Sequence, residues 1–298
     1  MNFGELSDFL EDYNPDYESD LIRGTDGCID QKPASAKPRK SKFHGDKEFG
    51  EDLTSAKRLL TRGYQPDAMK GAFSGFDTAF EAHEEVVRMA EEGYAFDVPS
   101  ILSGEDEVWF QRKNVGNAPS IHIVFEGGAN AHVDAMNFYI QSAVVNKLAE
   151  ILSEEAHIRV SATYSASYQG ADYDIKSGKR TDVDNITYVS MKDYDEPIDL
   201  RRLGAVSHPS FFRRLMFSVF ENGCGNFFGE DYGVSMGYGS QSTTHELGMT
   251  EELENDLFES DIVVHIPSPS YSHFDNVENA IRFCKSKLEE VNATKVAQ

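Results

Sequence analysis

Ile121, His122, Ile123, Val124 and Phe125 form a run of β-branched and aromatic residues that Gly127 and Gly128 bring to a stop. A short run of this kind reads as a buried strand. Apolar residues then return at Met136, Ile140, Ala143, Val144, Leu148 and Ile151, spaced by three and four. That spacing predicts a helix, with His132 or Asp134 as its cap. Ile158, Val160, Ala162 and Tyr164 alternate as a second strand, and Ile186, Tyr188 and Val189 suggest a third. Strand, glycine loop, helix and strand make a βαβ unit, which commits the chain to a sheet with helices on its faces.

The C-terminal part repeats the strand-then-helix order. Ile262 to Ile266 make a short apolar strand ended by Pro267 and Pro269, and Val277, Ile281, Cys284, Leu288 and Val291 share one helical stripe. Ser272 and Asp275 are its candidate caps. Between the two halves, Leu200 to Val206 and Pro209 to Phe220 read as helical, with Pro209 in a first turn. Residues Gly223 to Gly239 read as a long loop with one strand near Val234 to Tyr238. The expected fold is α/β, an open, mostly parallel sheet flanked by helices.

Ahead of this unit, Leu53 to Leu60 suggest a short helix. Phe76, Phe80, Val87 and Ala90 predict a second one, capped by Ser74 or Asp77 and ended by Gly93. The residues before them split by charge: Glu5 to Asp30 are acid-rich with Arg23 the one base, whereas Lys32, Lys37, Arg39, Lys40 and Lys42 hold no acid between them. Both stretches read as flexible tail. The resulting organisation is a tail over 1–52, a helical N-terminal extension over 53–112, the α/β domain over 113–292 and a short tail over 293–298.

Charge narrows the partners. The chain of 298 residues carries a formal net charge of −23, which disfavours bulk nucleic acid and anionic membranes unless a local patch carries the contact. The segment 32–42 is the one expected route to nucleic acid. No run of eighteen apolar residues occurs, and the first residues lack a basic region followed by an apolar one, so no membrane association is expected and a cytoplasmic location is. Cys28, Cys224 and Cys284 are too widely spaced for a zinc motif and read as free thiols.

In open α/β sheets ligands gather beyond the carboxyl ends of the strands. After Phe125, the residues Glu126, Asn130 and Asp134 could offer oxygen atoms to a hard cation such as magnesium, although Gly127 and Gly128 making the turn and Asp134 capping the helix explain the same residues. No dinucleotide or phosphate-loop fingerprint is present. The aspartate pairs Asp172 with Asp174, Asp182 with Asp184, and Asp193 with Asp195 read as solvated loop charge. His208, Arg213 and Arg214 form a candidate site for an anion or a partner, since arginine forks suit phosphate and carboxylate. No complete catalytic motif emerges, and no cofactor beyond magnesium is expected.

The stretch Asp199, Leu200, Arg201, Arg202 and Leu203, followed by His208, Pro209 and Ser210 and then by Arg213, Arg214, Leu215 and on to Glu221, resembles a segment of an uncharacterised protein family of tailed bacteriophages. That resemblance implies a phage-encoded protein working in the host cytoplasm. The order of elements is also similar to the von Willebrand factor A fold, whose first strand ends in an Asp-x-Ser-x-Ser metal site. Here Glu126, Gly128 and Asn130 stand at those three positions. The similarity implies a protein-binding scaffold or adaptor with a degenerate metal site, its partner a phage or host protein. The alternative expectation is a magnesium- or manganese-dependent enzyme acting on phosphate esters, with Glu126, Asn130 and Asp134 on the ion and His208, Arg213 or Arg214 towards substrate.

Overall fold

The computed structural model describes residues 56–80, 87–90, 95–96, 109–112, 118–129, 133–174, 179–194, 196, 198–216, 240–241 and 251–297. Side chains are described outside 87–112, 166–185, 213–214, 240–241, 251–252, 256 and 296–297. Within these residues the chain is α/β, an open mixed sheet of four strands flanked by helices.

The sheet is built around β4 (Ser120–Glu126), the run rich in β-branched residues. It pairs in parallel on one side with β5 (His157–Asp174) and on the other with β8 (Ile262–Ile266). Antiparallel to β5 lies β6 (Lys179–Lys192), giving the order β6-β5-β4-β8, with the two-residue β7 (Ser240–Gln241) also against β5. The sheet is therefore mixed rather than mostly parallel. Only residues 175–178 join β5 to β6, and so short a connection makes a hairpin, since a parallel neighbour needs a crossover of a dozen residues or more. The hairpin also takes in Asp172, Asp174, Asp182 and Asp184, which sit on paired strands and not in a loop.

Two hydrogen-bonded staples join β4 to β8. At the amino end, the Asp261 carboxylate accepts from the Ser120 N–H at 2.7 Å and from its hydroxyl at 2.8 Å, and the Asp261 N–H donates to Ser120 O at 3.0 Å. The Ser120 N–H, more than its hydroxyl, holds the Asp261 carboxyl below the usual carboxylate range. At the carboxyl end, Gln141 Nε2 donates to Glu126 O at 2.9 Å and to Pro267 O at 2.7 Å. The strand edges are thus clamped at both ends by side chains that only this pairing can satisfy.

Ile121, Ile123 and Phe125 point to a face covered by helices. Its centre is α3 (Ala135–Leu152), a helix buried around most of its circumference, which is the signature of an inner element rather than a surface one. Asp134 caps it, accepting from the Met136 N–H at 2.9 Å. Against α3 pack α2 (Asp67–Ala79) and α6 (Val277–Ala297), with α1 (Arg58–Arg62) and α4 (Leu200–Val206) beside them. Gly75 lets α2 approach α6, since a Cβ there would lie 2.9 Å from Val277 Cγ1. Lys147 of α3 is almost fully buried and is held by Asp77 at 3.1 Å and Glu150 at 3.0 Å. Leu59, Met69 and Phe76 share one core cluster with Leu148 and Ile158, so the helices ahead of the sheet belong to its core. Cys284 is part of this layer, and burial pushes its thiol up to about 12, which leaves it unreactive.

Helix α2 begins ahead of the Ser74 or Asp77 cap and ends well before Gly93, where the spacing of Phe76, Phe80, Val87 and Ala90 places it. It starts after Pro66, whose missing N–H costs nothing there, and ends at Phe80, where the backbone turns extended. Val87–Ala90 is instead β1 of a small antiparallel sheet with β2 (Ala95–Phe96) and β3 (Trp109–Arg112), in the order β1-β3-β2. The stretch before the main sheet is therefore helical only in part. At the C-terminal helix the cap is Asn276, whose Oδ1 accepts from the Asn279 N–H at 2.9 Å, and Ser272 belongs to a single 3-10 turn, Ser272–Phe274.

The other sheet face carries His122, Val124 and Glu126 from β4, and Ser161 and Thr163 from β5. A helix not foreseen from the sequence, α5 (Glu251–Phe258), lies on it through Phe258, whose ring meets His122 at 4.3 Å and Tyr188 at 4.8 Å.

Gly204 gives a direct test of the helix layer. A Cβ there would lie 1.8 Å from the Tyr64 carbonyl oxygen, which is backbone and cannot swing away. Gly204→Ala is expected to lower stability by about 3 kcal/mol, the upper range for overpacking, read as a lower urea midpoint. An unchanged midpoint would refute the close approach of α4 to the Tyr64 segment.

Candidate functional site at the carboxyl edge of the sheet

From β4 the chain passes through α3 to β5 on one side, and it later returns to β8 on the other. The switch of direction falls between the carboxyl ends of β4 and β8, the place where open α/β sheets offer a crevice. In this protein the floor of that crevice is tied shut. Besides the Gln141 staple, the Ser268 hydroxyl donates to Gly128 O at 2.7 Å, and Asn137 Nδ2 donates to Pro269 O at 3.3 Å. The Gly127 N–H donates to Thr163 O at 2.8 Å, and a Cβ on Gly127 would collide with the Tyr164 ring at 2.5 Å. The loop after β4 therefore needs glycine for close packing.

Among the polar residues exposed along this edge, such as Asp134, Ser270, Ser272 and Asp275, stand two large apolar side chains. Met136, at the first turn of α3, is 41% exposed, and Tyr271, four residues past Pro267, is 46% exposed. The bond from Asn137 to Pro269 draws their two segments together. The Tyr271 ring runs nearly parallel to that of His273 at 6.4 Å, and His273 in turn stacks on Phe283 at 4.6 Å, so the tyrosine stands at the end of a supported aromatic row.

The sequence-derived metal trio divides. Glu126 ends β4 as a buried residue, and alternation along the strand puts it on the α5 face with His122 and Val124. Asp134 opens α3, on the opposite face, and spends one carboxylate oxygen on the helix cap. Asn130 lies outside the described residues. Among the described residues no group of three or more His, Cys, Asp or Glu could hold a metal ion. The residues present do not fit a magnesium site drawn from Glu126 and Asp134, so no chemical step is derived through one.

The second candidate group lies inside the protein. His208 is 2% exposed, with its ring edge-on to Tyr64 at 4.8 Å and its Nδ1 accepting from the Ser210 N–H at 3.1 Å. That bond places the proton of the neutral imidazole on Nε2. Such a ring holds, from inside the core, the turn between α4 and the following π-helical turn, Phe211–Met216. Arg213 and Arg214 are on that turn, and their side chains lie outside the described set. The turn reaches the carboxyl edge all the same. Tyr164 donates to Val206 O at 3.0 Å, its ring stacks on Phe211 and Phe212 at 5.7 and 5.6 Å, and the hydroxyls of Ser142 and Ser207 bond to each other. Glu126, Asp134 and His208 thus lie towards one end of the sheet, with Asp134 used as a helix cap and His208 buried in the packing.

A polar cluster that sequence reasoning missed occupies the face under α5. The Glu254 carboxylate is 1% exposed; it accepts from the Tyr188 hydroxyl at 2.6 Å and lies 2.5 Å from His265 Nε2. Burial first, then the bond to Glu254, pushes the Tyr188 hydroxyl far up. His122, fully buried, bonds through Nε2 to the Ser161 hydroxyl at 2.9 Å, and its Nδ1 has no hydrogen-bond partner among the described residues. The signal that could have found this cluster was the alternation itself: His122 and Glu126 fall on one side of β4, and Ser161 and Thr163 fall beside them on β5.

A family model described as "Domain of unknown function (DUF7192)" matches residues 1–295. No curated protein and no solved structure matches the chain.

His122 makes the polar face sensitive to acid. Burial, ahead of the nearby Arg159 and His265 charges, pushes its imidazole down from 6.5 to about 3. Its neutral form is the one folded into the protein, so the contribution is complete above pH 6.5 and is lost as the unfolded chain takes up the proton below it. Between pH 7 and pH 5 the wild type is expected to lose about 2 kcal/mol through this residue, at about 1.4 kcal/mol per unit. Denaturation at several pH values, with His122→Gln alongside, checks it. Parallel pH profiles for the two proteins would remove His122 as the cause.

Proposed function

The chain belongs to the family described as Domain of unknown function (DUF7192), and since that description carries no activity, we propose from the geometry that the protein is a partner-binding α/β module that docks another protein on the carboxyl edge of its sheet. The observation that carries this reading is the exposure of Met136 and Tyr271 on that edge. They are two of four large apolar side chains exposed among the described residues, and both stand on segments fixed by hydrogen bonds from below. Methionine adapts to an irregular partner surface, and tyrosine is among the residues that most often dominate a binding energy. A rigid floor with two exposed apolar side chains on a polar rim suits docking, because little order has to be imposed when the partner arrives.

The finer identity is part of the same proposal. The sheet order and the position of the edge are compatible with a von Willebrand factor A-like scaffold whose metal position has degenerated, with Glu126, Gly128 and Asn130 in place of its signature residues. The resemblance of the Asp199 to Glu221 stretch to a tailed-phage family supports a protein made during infection, acting as scaffold or adaptor on a phage or host protein in the host cytoplasm. A metal-dependent phosphoesterase draws no support from Asp134, which serves the helix cap.

The test is affinity capture of the tagged full chain from the cells that make it, with magnesium and with chelator, followed by titration of the recovered protein. Met136→Glu with Tyr271→Glu is expected to weaken binding at least about thirtyfold, which is about 2 kcal/mol, without lowering the melting temperature. Undiminished binding by the double variant, or a partner held only with magnesium, would overturn the reading.

A further inference from the structure

Beside its two exposed apolar side chains the carboxyl edge holds two carboxylates, and one residue ties the four together. Asn137 Nδ2 donates to Pro269 O at 3.3 Å and to Asp275 Oδ1 at 3.4 Å. The loop after β8 is thereby drawn against the first turn of α3, where Met136 precedes Asn137 and Asp134 caps the helix. Tyr271 and Asp275 belong to the drawn-in loop, which is also held by its own 3-10 turn and by Asn279 of α6, whose Nδ2 donates to Ser272 O at 3.1 Å. Asp134, Met136, Tyr271 and Asp275 therefore keep fixed places relative to one another.

All four side chains are exposed. Asp134 uses Oδ1 on the helix cap and Asp275 uses Oδ1 on Asn137, so the second oxygen of each makes no hydrogen bond among the described residues. Glu278, exposed in the first turn of α6, adds a third carboxylate beside the loop. The base nearest to it along the chain is Arg282, whose Nη2 donates to Asn279 Oδ1 at 2.6 Å. Further along α6, Lys285 lies over the Phe80 ring and Lys287 is paired with Glu290 at 2.7 Å. The positive ends of α3 and α6 offset about half a charge each, which leaves the rim with an excess of about one negative charge.

An aromatic ring, an adaptable apolar side chain and an excess of one negative charge together define what can sit here. We propose, resting on the reading of this edge as a docking surface, that the partner's anchor is an arginine with an aliphatic neighbour. The guanidinium stacks on the Tyr271 ring and donates to the carboxylates of the rim, Asp134 and Asp275, while the neighbour covers Met136. Arginine suits this place because its plane stacks on an aromatic ring while its N–H fork stays available to carboxylates, which lysine's compact ammonium cannot match. Hydrogen bonds between two charged groups are also the stronger kind. An anionic partner such as a nucleic-acid backbone is repelled by the same carboxylates and by a net charge of −23. A wholly apolar segment would take water from the carboxylates and return nothing.

The test is a titration of the full chain, labelled with methyl-13C methionine, with the peptide acetyl-Leu-Arg-Leu-amide. Its readout is the Met136 methyl signal, identified by its loss in Met136→Leu. The signal is expected to move to saturation with the arginine peptide, and at least about tenfold more weakly when uncharged citrulline replaces the arginine. Asp134→Asn with Asp275→Asn should bring the two peptides level without lowering the melting temperature, since asparagine caps a helix as well as aspartate does. Tyr271→Leu, which keeps an apolar side chain and removes the ring, should weaken the arginine peptide. A Met136 signal that stays still, equal binding of the citrulline peptide by the wild type, or charge removal without effect would overturn the proposal. A captured partner lost with Met136→Glu and Tyr271→Glu but kept by Asp134→Asn with Asp275→Asn would overturn the arginine anchor and leave the docking reading standing, whereas a partner indifferent to all four changes would overturn both.

Discussion

The pairing of β4 with β8 holds the protein together. β4 is buried on both faces and has a parallel neighbour on each side, so its backbone is satisfied only when both neighbours are in place. Asp261 and Gln141 fix the β8 side at opposite ends, and each uses groups that would be left without partners if the strand slipped. From this one strand follow the layers: α3 with α2 and α6 over its apolar side, α5 over its polar side. The carboxyl edge is rigid for the same reason, since the carbonyls of Glu126, Gly128, Pro267 and Pro269 are all held by side chains.

Much of this was legible in the residues. The β4, α3 and β5 unit, the Asp134 cap, β8 and its helix follow from periodicity and turn chemistry, because these elements are buried and their patterns are set by local burial. The antiparallel β6 was hidden because a strand's sequence does not state its direction; only the four-residue connection does. Val87 and Ala90 fell on a helical spacing from Phe76 and Phe80, yet spacing cannot see that the helix ends at Phe80. Met136 sits on the apolar stripe of α3 and is nonetheless exposed, since it occupies the first turn, beyond the rim of the sheet.

Helix α5 was illegible for a more instructive reason. A reading by amphipathicity would bury Leu253 and Leu257 and leave Glu254 in water, whereas the structure does the reverse. Glu254 goes inward because the sheet beneath it offers Tyr188 and His265, and a buried carboxylate is tolerable only where such partners wait. One side of the sheet thus selects its cover by hydrogen bonding and the other by apolar area. The candidate sites divided differently: the Asp134 cap was legible as turn chemistry, whereas the burial of His208 and the bond its Nδ1 accepts from the Ser210 N–H could not be read from residue type.

The distance in sequence between the two clamped strands also has a kinetic side. Ser120 and Asp261 are 141 residues apart, and every element between them is made before they can meet. At about 5–20 residues per second, a ribosome leaves one edge of β4 bare for roughly ten seconds or longer. The helix α6 that completes the layer over α2 and α3 comes later still, at the end of the described chain. The nascent protein therefore passes through a stage with an open strand edge and an uncovered apolar helix layer, surfaces of the kind that invite pairing with other chains.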